Sequence, residues 1–261
     1  KERENVKEEQ EQREVSLAPS LASRKEIRSF FDASEIIVEL QFGEGGQDSK
    51  IFVDELFAAY LKYAQSLGLK AELLHGSEGH IIAKIMGNGA GRAFRHEPGK
   101  HCVQRIPPTE TKGRKQTSMI SVAVLPIPKK VEKPLMDSEV EITTTKGTGP
   151  GGQHRNKTES AVRAKHIPTG ITVFIGNGRD QHSNKREAIS ILTARVYELR
   201  KSQAESEYGA SRQAQMGGGG RSDKVRTYNF MESRVVDHRL GTKTSNVKAV
   251  MKGQFDLILK Q

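Results

Sequence analysis

One loop, residues 147–156, combines four glycines and a proline around a single glutamine, Gln153. Glycine permits positive φ angles and a close approach of the backbone to a ligand. Such a loop can therefore aim backbone N–H groups at one point, where they stabilise developing negative charge. The flanking chain is rich in basic side chains suited to phosphate contact: Lys146, Arg155, Lys157, Arg163, Lys165, Arg179, Lys185 and Arg186.

The triplet Gly-Gly-Gln is not distinctive alone, because it occurs twice. The second copy, at 45–47, lies between the acidic residues Glu44 and Asp48, which are poorly suited to phosphate. We therefore expect the two triplets to have different roles. On the triplet alone, a flexible connector with a solvated basic flank remains an alternative at 151–153.

A second segment, HCVQRIPPTETKGRKQTS at 101–118, joins consecutive prolines to a cluster of threonines and glutamines. Hydrogen-bonding groups on a rigid loop can read the pairing edges of unstacked bases, which is how single-stranded RNA is usually recognised. An ordinary polar connection between two strands is the alternative, and composition alone favours it.

The overall charge favours a polyanionic partner. The 261 residues include 42 Lys and Arg against 32 Asp and Glu, a formal net charge of +10. Such a surplus suits nucleic acid, although a merely basic protein remains possible.

Cys102 is the single cysteine, which excludes an intramolecular disulfide and a cysteine-based metal site. His154 and His166 lack metal-ligand spacing, so we expect no metal and no cofactor. No apolar run approaches about 18 residues, so no membrane span is expected.

Hydrophobic periodicity predicts an α+β fold. In the first half, strands are predicted at 36–42, 69–75, 80–86 and 117–125, with a helix at 49–67. In the second half, strands are predicted at 139–145, 158–166 and 171–175, with a helix from about 184 to 210. The tail is short and mixed: it contains RTYNF and SRVVDHRL, then a predicted helical stretch near 246–252 and a predicted closing strand at 255–259.

Two joints divide the chain. A proline-punctuated linker covers Pro126 to Pro134, and four glycines occupy 217–220. The predicted parts are a charged segment at 1–34, a domain at 35–130, a second α+β domain at 131–216 and a tail at 217–261. The tail is too short for an independent core. We therefore expect it to complete the mixed sheet and helices of the 35–130 domain as one superdomain.

The longer sequence around the loop resembles a known family. GTGPGGQHRNKTESAVRAKHIPTGI at 147–171, DQHSNK at 180–185, GRSDKVRTYNF at 220–230 and VVDHRL at 235–240 resemble bacterial-type class I peptide chain release factors. The resemblance covers roughly 35–261. It implies that the second domain carries a catalytic Gly-Gly-Gln loop and that the first, with its tail, reads the codon.

The resemblance also implies a mechanism. Gly151, Gly152 and Gln153 enter the peptidyl transferase centre, where water attacks the ester of peptidyl-tRNA. The Gln153 N–H stabilises the leaving 3′ oxygen, and its side chain admits water. Hydrolysis then needs the ribosome, so classification as an enzyme in its own right is left open. In the family this glutamine is commonly N5-methylated by a glutamine methyltransferase. Contacts to rRNA or tRNA are expected from Arg155, Lys157, Arg163, Lys185 and Arg186.

For stop-codon recognition, the resemblance points to the segment VQRIPPTETKGR. Pro107-Pro108-Thr109 fits the Pro-x-Thr motif of the type that reads UAA and UAG, with Thr109 at the first bases. Gln104 and Thr117 are expected at the third base. Gly45 to Asp48 fits a Gly-x-x-Glu element, with Asp suited to a helix N-terminus. Gln116 stands where the family usually has a stacking histidine, which leaves the details of codon discrimination open.

The implied partners are the ribosome with its rRNA, the mRNA stop codon and peptidyl-tRNA, bound by a monomer. The implied location is the cytoplasm or an organelle with bacterial-type ribosomes. Only about 34 residues precede the first predicted strand, so a truncated N-terminal helical domain is expected. Two alternatives remain: a codon-independent hydrolase that rescues stalled ribosomes, and a non-catalytic ribosome-binding homologue.

Overall fold

The computed structural model describes residues 32–127, 135–146, 158–176, 178, 180–216 and 224–259. Contacts divide these residues into two compact units. The first contains the described residues up to Ile127 and those from Tyr208 onward, and the second those between Pro128 and Glu207. The sequence-based boundary assigned 208–216 to the second domain. The contacts assign them to the first unit because Arg212 bonds to Glu39 and Gln215 to Val124.

In the described part of the first unit, eight strands form one sheet, five from the first half of the chain and three from the tail. Those from the first half of the chain are β1 (Glu35–Phe42), β2 (Lys70–Ser77), β3 (His80–Met86), β4 (Gly99–Arg105) and β5 (Gln116–Pro126). Helix α1 (Gln47–Ser66) packs on one face, and the short helix α2 (Ala90–Ala93) follows β3. On β1, Ile36, Val38 and Leu40 alternate toward the core that α1 covers.

The tail completes this sheet with the strands β9 (Lys224–Asn229), β10 (Arg234–Asp237) and β11 (Lys243–Thr244). The order of the eight strands is β11-β10-β9-β4-β5-β1-β3-β2. Strand β9 lies parallel to β4 and antiparallel to β10, so it is an interior strand. Helices α4 (Val247–Val250) and α5 (Asp256–Leu259) follow. The predicted closing strand at 255–259 is therefore wrong. Phe255 and Ile258 are buried while Leu257 is exposed, and a spacing of three favours a helix.

The second unit contains an antiparallel sheet with, in its described part, the order β6-β7-β8. Its strands are β6 (Val140–Thr145), β7 (Ala161–His166) and β8 (Thr172–Ile175). The long helix α3 (Gln181–Met216) begins in this unit and covers the sheet with Ala188, Leu192 and Val196. Across the sheet, Thr145 pairs with Ala161, so the intervening loop leaves and re-enters at the same end. No helix in the described residues has the length and apolarity to cross a bilayer.

Candidate nucleic-acid interface

Two loops of the first unit converge at one end of its sheet. The loop between β1 and α1 runs alongside the first residues of β5: the Gly43 N–H donates to the Met119 carbonyl at 2.9 Å, and the Met119 N–H donates to the Glu44 carbonyl at 2.6 Å. Arg105 and Gln116 are paired across β4 and β5, so the loop 106–115 emerges at the same place. The structure thus brings together the two elements predicted to read a codon.

Gly45 lies where no other residue fits. Its φ is +123°, and a Cβ built there would lie 2.4 Å from the Ser118 Oγ and 2.7 Å from the Ser118 Cα. A side chain would therefore strain the backbone and clash with β5. Glycine at this position therefore allows the loop before α1 to lie directly against β5.

Asp48 lies in the first turn of α1, but its carboxylate turns inward. It is only 2% exposed. Its Oδ1 accepts from the Arg105 Nε at 2.8 Å, and its Oδ2 accepts from the Ser118 hydroxyl at 2.7 Å. The N-cap is Gly46, without a side-chain cap. The helix begins at Gln47, two residues earlier than predicted, so Asp48 lies in its first turn, and its carboxylate binds Arg105 and Ser118.

The loop after β4 presents its tip outward. Pro107 is buried, while Pro108 and Thr109 are exposed. A turn is closed by the Glu110 N–H, which donates to the Pro107 carbonyl at 3.0 Å. The Glu110 carboxylate organises the rest of the loop by accepting from the Lys112 backbone N–H at 2.8 Å and from the Gln116 Nε2 at 2.8 Å. The Lys112 N–H, with Gln116 and Arg114, lowers the pKa of Glu110.

Gln116 is oriented by this contact. A carboxylate only accepts hydrogen bonds, so the amide must turn its Nε2 toward Glu110 and its Oε1 the other way. Next to it, Gln104 and Thr117 are paired directly across β4 and β5. Paired residues on one face of a sheet have Cβ atoms about 5 Å apart, so these two side chains can act on a single group.

A PCRF domain model matches residues 1–122, and an RF-1 domain model matches residues 129–239. The chain is 39% identical over 235 residues to "Peptide chain release factor 1" of Nitratiruptor sp., covering 88% of this chain and 66% of that protein. It is 42% identical over 235 residues to the protein of that name from Buchnera aphidicola, covering 87% and 65%. The chain belongs to the peptide chain release factor family.

A structural likeness agrees with this assignment. RF2 of Thermus thermophilus is 28% identical, with a TM-score of 0.51, over 98% of this chain and 83% of that one. The release factor match begins at residue 1, so it extends over the charged segment 1–34, which the predicted resemblance left out. The chain spans about two thirds of the length of these curated relatives, 66% and 65% respectively.

The loop that contains Gln153 lies outside the described residues. Gly151, Gly152, Gln153, Arg155 and Lys157 all fall there, as does His154. The remaining predicted RNA contacts are described: Arg163 is exposed on β7, and Lys185 and Arg186 are exposed in the first turns of α3. These three side chains are therefore accessible to a phosphate backbone.

Asn184 positions the chain that returns from this loop. It is buried at the start of α3, where its Nδ2 donates to the Ser160 carbonyl at 2.7 Å and its Oδ1 accepts from the Gly178 N–H at 3.1 Å. Sequence reasoning missed this role, although a polar residue in the apolar stripe of a helix was a signal.

His166, on β7, is also buried, and its Nδ1 lies 2.7 Å from the Thr169 hydroxyl.

A buried polar network joins the tail to the rest of the first unit's sheet in this release factor family member. The Arg226 Nη1 donates to the Glu97 Oε2 at 2.7 Å, and its Nη2 donates to the Asp237 Oδ2 at 2.9 Å. Burial acts to raise the pKa of Glu97, but the Arg226 guanidinium overcomes it and holds the pKa low. Burial, assisted by Arg226, lowers the pKa of His101 to about 4. The network was not predicted, because Glu97 and Arg226 are 129 positions apart in the sequence.

Proposed function

We propose that this protein is a translation termination factor that recognises UAA and UAG in the ribosomal A site and triggers hydrolysis of peptidyl-tRNA. One observation carries the proposal: the loop at Gly45 and the loop at Pro107 to Thr109 meet at one end of the first unit, with Thr109 exposed. The relatives named "Peptide chain release factor 1" support it.

Codon reading is assigned to this end of the sheet. Thr109 offers a hydroxyl to the first bases, and the backbone before α1 selects the first uracil, because the Asp48 carboxylate is bound inside the protein. The paired Gln104 and Thr117 act at the third base, where an amide presents either a donor or an acceptor. The Gln104 amide can therefore bind either adenine or guanine at the third base.

Gln116 contributes selectivity at the neighbouring base. With its Nε2 held by Glu110, its carbonyl oxygen is turned away from that carboxylate. That acceptor suits the exocyclic amino group of adenine and opposes the carbonyl oxygen of guanine. This replaces the stacking of the usual histidine with a hydrogen bond, and it disfavours UGA.

The chemistry is assigned to Gly151, Gly152 and Gln153, with the Gln153 N–H at the leaving oxygen and the ribosome supplying the rest of the active site. Arg155, Lys157, Arg163, Lys185 and Arg186 contact rRNA or tRNA, so binding weakens as salt rises. We further propose a monomer whose Gln153 is methylated by a glutamine methyltransferase. It acts in the cytoplasm or in an organelle with bacterial-type ribosomes.

The test is peptide release from ribosomes programmed with UAA, UAG, UGA or a sense codon. We expect release at UAA and UAG only. Equal release at a sense codon would contradict termination and favour the codon-independent rescue function. Binding without release at any codon would favour the non-catalytic homologue.

A matched pair of glycine variants in the same assay tests the catalytic loop. Gly152→Ala is expected to abolish release while ribosome binding persists. Gly209→Ala is the control, because Gly209 lies within α3 with no atom within 4 Å of an added Cβ, and it should release normally. Near-normal release by Gly152→Ala would show that the loop is wrongly assigned.

A further inference from the structure

We propose that Asp48, Arg105 and Ser118 form a bracket that sets the spacing of the two codon-reading loops, with Asp48 as its central positioning residue. The proposal rests on the proposed function. None of the three side chains is expected to touch the codon. Each is buried, and each acts through the exposed residues beside it.

The bracket closes across the base of the loop that contains Pro107 to Thr109. Arg105 is the last residue of β4 before that loop, and Ser118 is the third residue of β5 after it. Asp48 binds both at once, with Oδ1 on the Arg105 Nε at 2.8 Å and Oδ2 on the Ser118 hydroxyl at 2.7 Å. One carboxylate of α1 therefore holds both ends of the loop.

The Arg105 side chain is held from several directions. Its Nη1 donates to the Glu55 Oε2 at 2.6 Å, two turns further along α1. Its guanidinium carbon lies 5.9 Å from the ring centre of Phe52 and 5.6 Å from that of Phe230, distances at which a cation and an aromatic ring attract. The Phe230 N–H also donates to the Gln104 carbonyl at 2.9 Å. Helix, strand and tail thus fix the guanidinium in one orientation.

Ser118 transmits the position of Asp48 to the residues beside it. Gln116 and Thr117 immediately precede it on β5, and Gly45 passes directly over its Cα. A displacement of the Asp48 carboxylate would therefore move the loop at Gly45 relative to both Thr117 and Thr109. A buried ion pair is a costly way to gain stability, whereas its directional bonds define geometry well. This favours a positioning role.

The experiment measures release kinetics at UAA and at a near-cognate sense codon for Asp48→Asn, Arg105→Met, their combination and Ser118→Ala. Arg105→Met should raise the KM for the ribosome about 10-fold or more, as expected for one charge-assisted contact. Ser118→Ala should raise it about 3-fold, as expected for one neutral hydrogen bond. In both, kcat should stay within about 2-fold and codon discrimination should fall. The double variant should be no worse than Arg105→Met, because the two residues act as one unit.

Asp237→Asn is the matched control, since Asp237 and Arg226 form another buried aspartate–arginine pair in the same sheet. It should lower the melting temperature without changing KM or discrimination. If folded Ser118→Ala and Arg105→Met keep wild-type KM and discrimination, the bracket is refuted. If the wild-type protein releases nothing at UAA, the proposed function fails instead.

Amide hydrogen exchange tests the bracket without ribosomes. Ser118→Ala should increase exchange in residues 43–50 as well as in 104–117, because both segments depend on the Asp48 carboxylate. An increase confined to 104–117 would overturn the coupling. Since Ser118→Ala removes only one oxygen, it remains informative even if Arg105→Met does not fold.

Discussion

At the scale of single residues, His101 shows how completely burial can fix a protonation state. Its Nε2 lies 2.8 Å from the Glu97 carbonyl, and its Nδ1 lies 3.3 Å from the Tyr228 hydroxyl. A carbonyl oxygen only accepts, so Nε2 must carry the proton and Nδ1 must accept from the tyrosine. The neutral ring satisfies both partners. A second proton would place a buried positive charge on the ring close to the Arg226 guanidinium.

This residue predicts a pH dependence of stability. The pKa of His101 is lowered from 6.5 to about 4, so the unfolded chain takes up a proton in a range where the folded protein does not. The contribution of the neutral His101 ring to stability is therefore fully present above about pH 6.5, and it is lost as the pH falls toward 4. Between pH 7 and 5, we expect His101 to contribute about 2 kcal/mol of the loss.

Urea unfolding of the wild type and of His101→Gln at pH 7 and 5 measures that contribution. Glutamine keeps a donor near the Nε2 position but does not titrate, so the variant should lose less stability on acidification. His75→Gln, at an exposed position, should follow the wild-type slope. An equal slope for His101→Gln and the wild type would show that the ring is protonated in the folded state.

At the scale of elements, the tail strand β9 depends on a charge cluster rather than on apolar packing alone. Arg226 is fully buried between Glu97, which precedes β4, and Asp237 at the end of β10. Tyr60 of α1 also donates to the Glu97 Oε2, at 2.6 Å. The cluster therefore joins the tail, the neighbouring strand and the helix at one point.

Arg226→Met should lower the free energy of unfolding by about 3–5 kcal/mol, because it leaves two buried carboxylates without their cation. Adding Glu97→Gln and Asp237→Asn to this variant removes both buried charges, so the triple variant should recover part of that loss. Arg234→Met is the control, since Arg234 pairs with Glu232 at the surface, and it should change stability by less than about 1 kcal/mol. Equal effects of the two single arginine variants in chemical denaturation would contradict the role of the cluster.

Local patterns predicted most elements of this fold but not their distant partners. Alternation located β1 and β3, and helical spacing located α1 and α3. The parallel pairing of β9 with β4 joins residues more than a hundred positions apart, which periodicity cannot reveal. The same holds for the site. Short motifs indicated Gly45 and Thr109, whereas the inward turn of Asp48 depends on Arg105, 57 positions away.

At the scale of the whole molecule, the two units have cores of different character. The first includes the aromatic side chains Phe52, Tyr60, Phe94 and Phe255. The second is built mainly from small and aliphatic residues, among them Val162, Ala164 and Leu192. The aromatic core buries more apolar area per side chain, so we expect the units to differ in stability.

A pair of leucine variants tests whether the units unfold separately. Leu192→Ala and Leu56→Ala each empty a fully buried site, so each should destabilise its own unit by about 2–5 kcal/mol. Native-state hydrogen exchange should show lost protection in β7 for the first variant and in β5 for the second. Equal loss in both strands from Leu192→Ala would show instead that the chain unfolds as one cooperative block.

The interior place of β9 has a consequence for biosynthesis. Strand β4 ends at Arg105, and its parallel neighbour begins at Lys224, 119 residues later. At about 5–20 residues per second, a ribosome needs about 6–24 seconds to make that stretch. Throughout this interval one edge of β4 has no partner and can pair with other nascent chains. The sheet of the first unit is therefore completed only after the chain that bears the glutamine loop has been made, so the loops at Gly45 and Thr109 rest on a complete sheet only once synthesis has passed β9.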